Sequence, residues 1–286
     1  MFGSASEETR VAAMELYTSM WKQIAERYEE YSDHLIFESA NEELGFRLND
    51  TDIATDSGTL SDDECYTVTN QINQAFVDTV RETGGNNKQR FLLIAGFGTD
   101  ITNTCDERYQ IPTDTAKGKL LLSVHFYNPD GYCINTSLSS WGTKKEYTEQ
   151  NTLLEKMTQY TEQGYGIVIG EYGVLLDDGK VKDNTAQYLS NFLNNCEVYG
   201  YVPMLWDCND MFSRNDLQII DEEVAALYKV HSLAEQADKK KEEIQEVART
   251  EMEAALAEAP EGASVDENTA MAWIMYNSND WSTIYS

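Results

Sequence analysis

Apolar positions along the chain switch between two periods. Met14, Tyr17, Trp21, Ile24 and Tyr28 recur every three or four residues, which predicts an opening helix with one buried face. Ser4-Ala5-Ser6-Glu7 fits a capping box ahead of it, and Glu7 and Glu8 lie where the helix dipole favours negative charge. A short apolar run, Leu35-Ile36-Phe37, ends in Glu38-Ser39-Ala40-Asn41-Glu42. A helix is predicted over 65–83, stopped by Gly84-Gly85, and a strand over 90–96. The alternation continues with strands over 120–127, 166–173 and 201–207 and helices over 144–163, 184–195 and 217–233. The strands are continuous apolar runs, as expected of parallel strands buried on both faces and joined by crossover helices. Five strands are too few for a closed (β/α)8 barrel. The fold class is therefore α/β, either an open doubly wound sheet or the C-terminal part of a barrel.

Beyond residue 233 the composition shifts to Ala, Glu, Lys and Gln. Leu233, Ala237, Ile244, Val247 and Leu256 give a loose helical pattern over 234–259, a charged helical linker or a flexible tether. Pro260-Glu261-Gly262 breaks it, and 270–276 reads as a lone strand.

Fifty acidic against 21 basic residues give a net charge of −29, which excludes nucleic acid and an anionic membrane surface as partners. A neutral polymer such as a polysaccharide is not repelled. No apolar run is long enough to span a bilayer. With three His, five scattered Cys and no CxxC, no metal and no cofactor is expected. The N-terminal residues carry no signal-peptide pattern.

Functional groups of parallel α/β folds gather at the carboxyl ends of the strands. Those ends carry Asn41 and Glu42, His125 and Tyr127, Glu171, and Trp206. There is no GxSxG elbow, phosphate loop or GxGxxG. Paired carboxylates with aromatic rings fit glycoside hydrolysis, in which one acid protonates the leaving oxygen and the other attacks the anomeric carbon or activates water. Singly, each group has a plainer reading. A Glu at a strand end is often a loop charge, His125 a packed and bonded side chain, and Trp206 core. Their ordered occurrence at successive strand ends favours chemistry.

These segments resemble glycoside hydrolase family five, the cellulase family. Leu35-Ile36-Phe37-Glu38-Ser39-Ala40-Asn41-Glu42 resembles its fourth strand, and Leu122-Ser123-Val124-His125-Phe126-Tyr127 its sixth. Ile169-Gly170-Glu171-Tyr172-Gly173 resembles the seventh and Met204-Leu205-Trp206-Asp207 the eighth. The run from Phe76 to Asn87 is also typical of bacterial endoglucanases in the family. The resemblance implies a partial (β/α)8 barrel, strands four to eight with their helices, and retaining cleavage of β-1,4-glucans. It implies Glu42 as general acid/base and Glu171 as nucleophile. It also implies Asn41 on the sugar 2-hydroxyl, His125 and Tyr127 as supports with Tyr127 bonding the nucleophile, and Trp206 flooring the subsite before the scissile bond. Trp141 is expected to stack a sugar on the leaving side or to pack at the surface. Burial and the charge on Glu171 are expected to keep Glu42 protonated near neutral pH. Glu38 is expected lower in its strand, as a structural group. Glu43 stands where the family often has Pro.

The family's first three strands have no counterpart, so the chain reads as a fragment of a secreted or cell-surface modular parent, monomeric and acting on β-glucan. The expected organisation is a partial catalytic domain over 1–233, a charged linker over 234–266, and over 267–286 the start of a truncated β module of the carbohydrate-binding kind, with Trp273 and Trp281. Five strands leave an open apolar edge, so residues 1–286 alone are expected to fold poorly and to be nearly inactive. A β-mannanase, xyloglucanase or mixed-linkage glucanase shares the same acid, nucleophile and barrel. A non-catalytic glycan-binding remnant would keep Trp141, Trp206 and the tail aromatics.

Overall fold

The structure is a computed structural model that describes residues 2–52, 55–135, 137–206 and 211–262. In chain order it contains α1 (Glu7–Arg27), β1 (Phe37–Glu38), α2 (Asp62–Glu82), β2 (Leu92–Ala95), α3 (Ile101–Thr104), β3 (Leu120–Phe126), α4 (Asp130–Cys133), α5 (Lys144–Glu155), α6 (Thr158–Thr161), β4 (Gly166–Tyr172), α7 (Thr185–Tyr199), β5 (Val202–Leu205), β6 (Phe212–Ser213), β7 (Gln218–Ile219), α8 (Glu222–Val230), α9 (Leu233–Gln236) and α10 (Lys241–Glu258). Strands β1 to β5 form one parallel sheet whose order follows the chain. Each crossover thus advances in the same direction, whereas a doubly wound sheet reverses at a switch point. The sheet curls into a half-barrel, part of a (β/α)8 barrel.

Strand and helix residues divide as the apolar pattern demands. Leu122, Val124 and Phe126 of β3 and Ile167 and Ile169 of β4 are buried in one core with Tyr188 and Phe192 of α7. A second core joins Ala25 and Trp21 of α1, Phe37 of β1, Phe76, Val77 and Val80 of α2, and Leu92 and Ile94 of β2. Among the described residues β1 and β5 each pair on one side only. Val202 and Met204 of β5 are 53% and 52% exposed on that free margin.

Several predicted boundaries move. The cap of α1 is Ser6, whose hydroxyl accepts the Thr9 N–H, and not Ser4. Helix α2 starts at Asp62 because Ser61 and Glu64 form a complete capping box. The helix predicted over 144–163 breaks between α5 and α6, where Met157 is turned fully into the core. The segment predicted as helix from 217 begins instead as the β6–β7 hairpin. Leu217 has a left-handed φ of 55°, and α8 begins only after Asp221, whose carboxylate accepts the Val224 N–H.

The charged segment after 233 is not a free tether. Helix α10 lies along α7, with Ala248 fully buried, the Gln245 amide donating to the Val198 carbonyl at 2.9 Å and Asn194 donating to Glu251 at 3.1 Å. The Lys144 N–H at the start of α5 then donates to the Pro260 carbonyl at 2.9 Å. Val247, read as an apolar-face residue, is exposed, and Ala248 takes the buried position. Residues 267–286, with Trp273 and Trp281, lie outside the described residues. Among the described residues no helix is long and apolar enough to cross a membrane.

Candidate active site

The site is assembled at the carboxyl ends of β1, β3 and β4. Strand β1 has only two ladder residues, and its continuation is held by side chains. The Ser39 N–H donates to Leu93 O at 3.0 Å, its hydroxyl donates to Asn73 Oδ1 at 2.8 Å, and the Ala95 N–H donates back to that hydroxyl at 2.9 Å. Asn73 of α2 donates to Ala95 O, and the Tyr17 hydroxyl of α1 donates to Ser39 O at 2.7 Å. This buried network has its donors paired, the condition under which buried polar groups rigidify a segment. It fixes the chain three residues before Glu42. Asn41 is exposed, and its N–H donates to the Glu43 carboxylate at 3.0 Å.

An irregularity in β4 turns the second carboxylate toward the first. Val124 of β3 pairs with Ile169, but His125 pairs with Glu171 and Phe126 with Tyr172, so Gly170 is an extra residue. Side chains alternate along a strand. Ile169 faces the helices, and Tyr172 does so as well, stacking on Phe192 at 4.3 Å. The bulge at Gly170 therefore moves Glu171 to the barrel-interior face, beside His125. Glycine fits there because a Cβ would meet Ser123 Oγ at 3.0 Å and His125 Nε2 at 3.4 Å.

His125 links the two carboxylates. Its Nδ1 lies 2.8 Å from Glu42 Oε1 and 3.4 Å from Glu171 Oε2. The Tyr127 hydroxyl donates to Glu171 Oε2 at 3.0 Å. Glu42, 36% exposed, also faces the Arg47 guanidinium at 3.6 Å, and Arg47 is shared with Asp50. Glu171 is the more enclosed carboxylate, at 15% exposure. The Glu42, His125 and Glu171 ligand atoms lie within 4.8 Å of one another. A cation could bridge such a cluster, although the hydrogen bonds within it already account for the spacing. Glu38 sits lower on β1 and accepts from the Ser123 hydroxyl at 2.7 Å; burial pushes its carboxyl above the usual range.

The expected protonation of Glu42 is corrected. The hydrogen bond from His125 holds its carboxyl below the usual value; burial opposes this, and the charges of His125 and Arg47 add to it. Glu42 keeps enough contact with solvent that desolvation does not outweigh the hydrogen bond. A folded value below the unfolded one means that Glu42 contributes stability above the ordinary carboxylate range, and this is lost as pH falls through the folded value. His125→Ala is expected to raise the Glu42 titration midpoint, followed through its carboxyl carbon by NMR. An unchanged midpoint would show that the His125 contact is not what tunes it.

The two tryptophans differ. Trp206 follows β5, is 47% exposed, and its N–H donates to Tyr172 O at 2.9 Å, which holds it beside the residue after Glu171. Trp141 is 2% exposed and packs against Tyr147 and Tyr188 at 4.4 and 5.3 Å between ring centres. It presents no face on which a sugar could stack, because α5 and α7 enclose it. Arg47 and the Ser39 network were missed in the sequence. Nothing in the sequence singled out either one.

A family model described as cellulase (glycosyl hydrolase family 5) matches residues 2–212. The chain belongs to this family. Endoglucanase A of Ruminococcus albus is 30% identical to the family 5 chain over 206 residues, covering 71% of this chain and 54% of that protein. A xyloglucan-specific endo-beta-1,4-glucanase of Bacteroides ovatus is 30% identical, over 70% of this chain and 42% of its own length. Among solved structures, a GH5-4 broad specificity endoglucanase from Ruminococcus champanellensis with bound cellotriose superposes with a TM-score of 0.67 at 26% identity, covering 79% of this chain and 66% of that one. The family 5 chain thus spans about half the length of the curated relatives it matches.

Proposed function

We propose that this chain carries the acid/base and the nucleophile of a retaining endo-β-1,4-glucanase. The supporting observation is the short span between Glu42 and Glu171, whose nearest oxygens lie within 4.8 Å. Retaining enzymes hold their carboxyl groups about 5–5.5 Å apart, and inverting ones leave room for a water at roughly 6.5–9.5 Å. Glu171 attacks the anomeric carbon while the glycosidic oxygen departs with the proton of Glu42. Water then attacks the same carbon, Glu42 takes its proton, and Glu171 is released. Tyr127 occupies one oxygen of Glu171 and leaves the other to attack. In this reading Asn41 bonds the 2-hydroxyl of the attacked sugar and Trp206, which is 47% exposed, floors it with a flat apolar face.

The His125 hydrogen bond holds the Glu42 carboxyl below its usual range, so a glucan that loosens the His125 or Arg47 contact would favour loading of the acid with its proton. The Ruminococcus albus relative supports β-glucan as substrate, and the Bacteroides ovatus relative supports xyloglucan as the alternative within the same mechanism. Polymers of this size call for hydrolysis outside the cell. With β1 and β5 each paired on one side only among the described residues, residues 1–286 alone are proposed to be nearly inactive.

Proton NMR of the first products formed from cello-oligosaccharides, at high enzyme concentration, tests the proposal. The β anomer should appear first and mutarotate later. Initial release of the α anomer would refute double displacement.

A further inference from the structure

Buried amides between α5 and α7 leave one donor unused. Gln150 of α5 is 3% exposed, and Asn191 and Asn195 of α7 are 1% and 0% exposed. A backbone acceptor fixes how these amides point. Asn195 Nδ2 donates to the Asn191 carbonyl at 2.8 Å and to Asn151 Oδ1 at 2.8 Å. Asn151 Oδ1 is thus an acceptor, and Asn191 Nδ2 donates to it at 2.7 Å. The same Nδ2 donates to Gln150 Oε1 at 2.7 Å. What remains is Gln150 Nε2, buried and without a hydrogen-bond partner. The Tyr188 hydroxyl near it already accepts from the Cys133 thiol and donates to Asn128 O. An unpaired buried donor is costly, so a ligand that accepts from it gains.

Gln150 also lines a recess of about 230 Å³, together with Asn128, Pro129, Glu146, Glu149 and Leu153. Four of these residues stand at helical spacing on one face of α5. Asn128 alone is shared with the space beside Glu42. Glu146 spends Oε2 on the cap of α5, where it accepts from the Gly142 and Thr143 N–H groups and the Thr143 hydroxyl; Oε1 takes part in none of these bonds. Glu149 is exposed and lies 3.6 Å from the Lys145 ammonium. A ligand here must accept from Gln150 and donate to carboxylates. A bare cation offers no acceptor, and an anion meets two like charges. A hydroxyl does both. Leu153 and Pro129 add apolar surface for C–H groups, and the volume, about eight waters, suits one sugar ring.

We propose that this recess is a second sugar site, outside the catalytic cleft, which takes one neutral hexose ring through Gln150, Glu146 and Glu149. The choice of a sugar among polyols rests on the glucanase reading, which puts glucose units on the other side of Asn128.

NMR of isotopically labelled residues 1–286 tests it. Glucose and cellotetraose are titrated in while the Gln150 side-chain amide and the Trp206 indole N–H are followed. Gln150 should respond to both sugars with a midpoint of about 1–10 mM, since a few hydrogen bonds in a small recess give weak affinity. A response to cellotetraose alone would support the site with a chain end, not free sugar, as its occupant. Glu149→Ala changes an exposed helix position to a good helix former. It should weaken the Gln150 titration at least about threefold and leave the Trp206 response to cellotetraose unchanged. A Gln150 titration indifferent to Glu149→Ala would overturn the site. If neither sugar moves Gln150, water alone meets the donor and the second site is overturned, while Trp206 shifts in the same titration would leave the glucanase reading standing. Gln150 shifts with none at Trp206 would keep the second site and count against that reading.

Discussion

Replacing Glu171 by Gln should reduce β-glucan hydrolysis to background while retention of the protein on an insoluble glucan barely changes. The amide keeps the shape of the side chain and the contact with Tyr127, yet has no charge with which to attack carbon. Glu42→Gln behaves differently. A positioned general acid contributes about 10²- to 10⁴-fold, so cleavage of the polysaccharide should fall by that much. Release of dinitrophenol from an activated cellobioside should be spared in the first turnover, because that leaving group needs no proton. The contrast separates the two carboxylates by role. If Glu171→Gln retained turnover comparable with wild type, the assignment of nucleophile would be wrong. If both hydrolysis and retention vanished, the variant would have lost its fold, and circular dichroism would show it.

Arg90→Ala is expected to cost about 3–5 kcal/mol, since hydrogen bonds to a charged donor contribute about 1.5–3 kcal/mol each and buried acceptors left unpaired add to the loss. Arg90 is 1% exposed. Its guanidinium donates to Ser32 O and Leu35 O at 2.7 Å, to Tyr28 O at 3.0 Å, to Tyr31 O at 2.8 Å and to Asn87 Oδ1 at 2.7 Å. It also lies over the Phe37 ring at 4.9 Å. These carbonyls close the end of α1 and lead the chain into β1, so their loss leaves orphaned acceptors and a cavity where the strand carrying Glu42 begins. A typical domain has a total stability of about 5–15 kcal/mol, and the deletion would consume much of it. Urea unfolding followed by circular dichroism measures the effect. Arg90→Lys keeps the charge, loses the planar fork, and should fall between the two. A midpoint for Arg90→Ala within error of wild type would show that the guanidinium is a spectator.

What could be read from the sequence was what repeats along the chain or sits at a fixed place within a strand. Apolar runs such as 120–127 and 166–173 located the buried strands, and their last polar residues located Glu42, His125, Tyr127 and Glu171. Whether the sheet was open or barrel-like depended on strand order, which no local pattern encodes. Trp141 was misread because exposure of an aromatic depends on which helices cover it, here α5 and α7. Helix α10 was read as a charged linker because its one fully buried residue is small, Ala248, its other apolar contacts, Ala255 and Leu256, are only partly buried, and Gln245 and Glu251 reach α7 through polar bonds. Arg47 went unnoticed since an exposed Arg in a loop has no distinguishing period, and its meaning comes from the carboxylate it happens to face. The low titration of Glu42 was likewise hidden, because it arises from a side chain 83 positions away.

The extra residue in β4 has a wider consequence. Were Gly170 paired regularly with His125, Phe126 would stand opposite Glu171, and the carboxylate would be driven into the layer that Phe126 and Tyr172 share with Phe192. Glu171 owes its aim to an extra residue in the ladder and not to any surface loop. The surrounding loops can thereby vary while Glu42 and Glu171 stay in place.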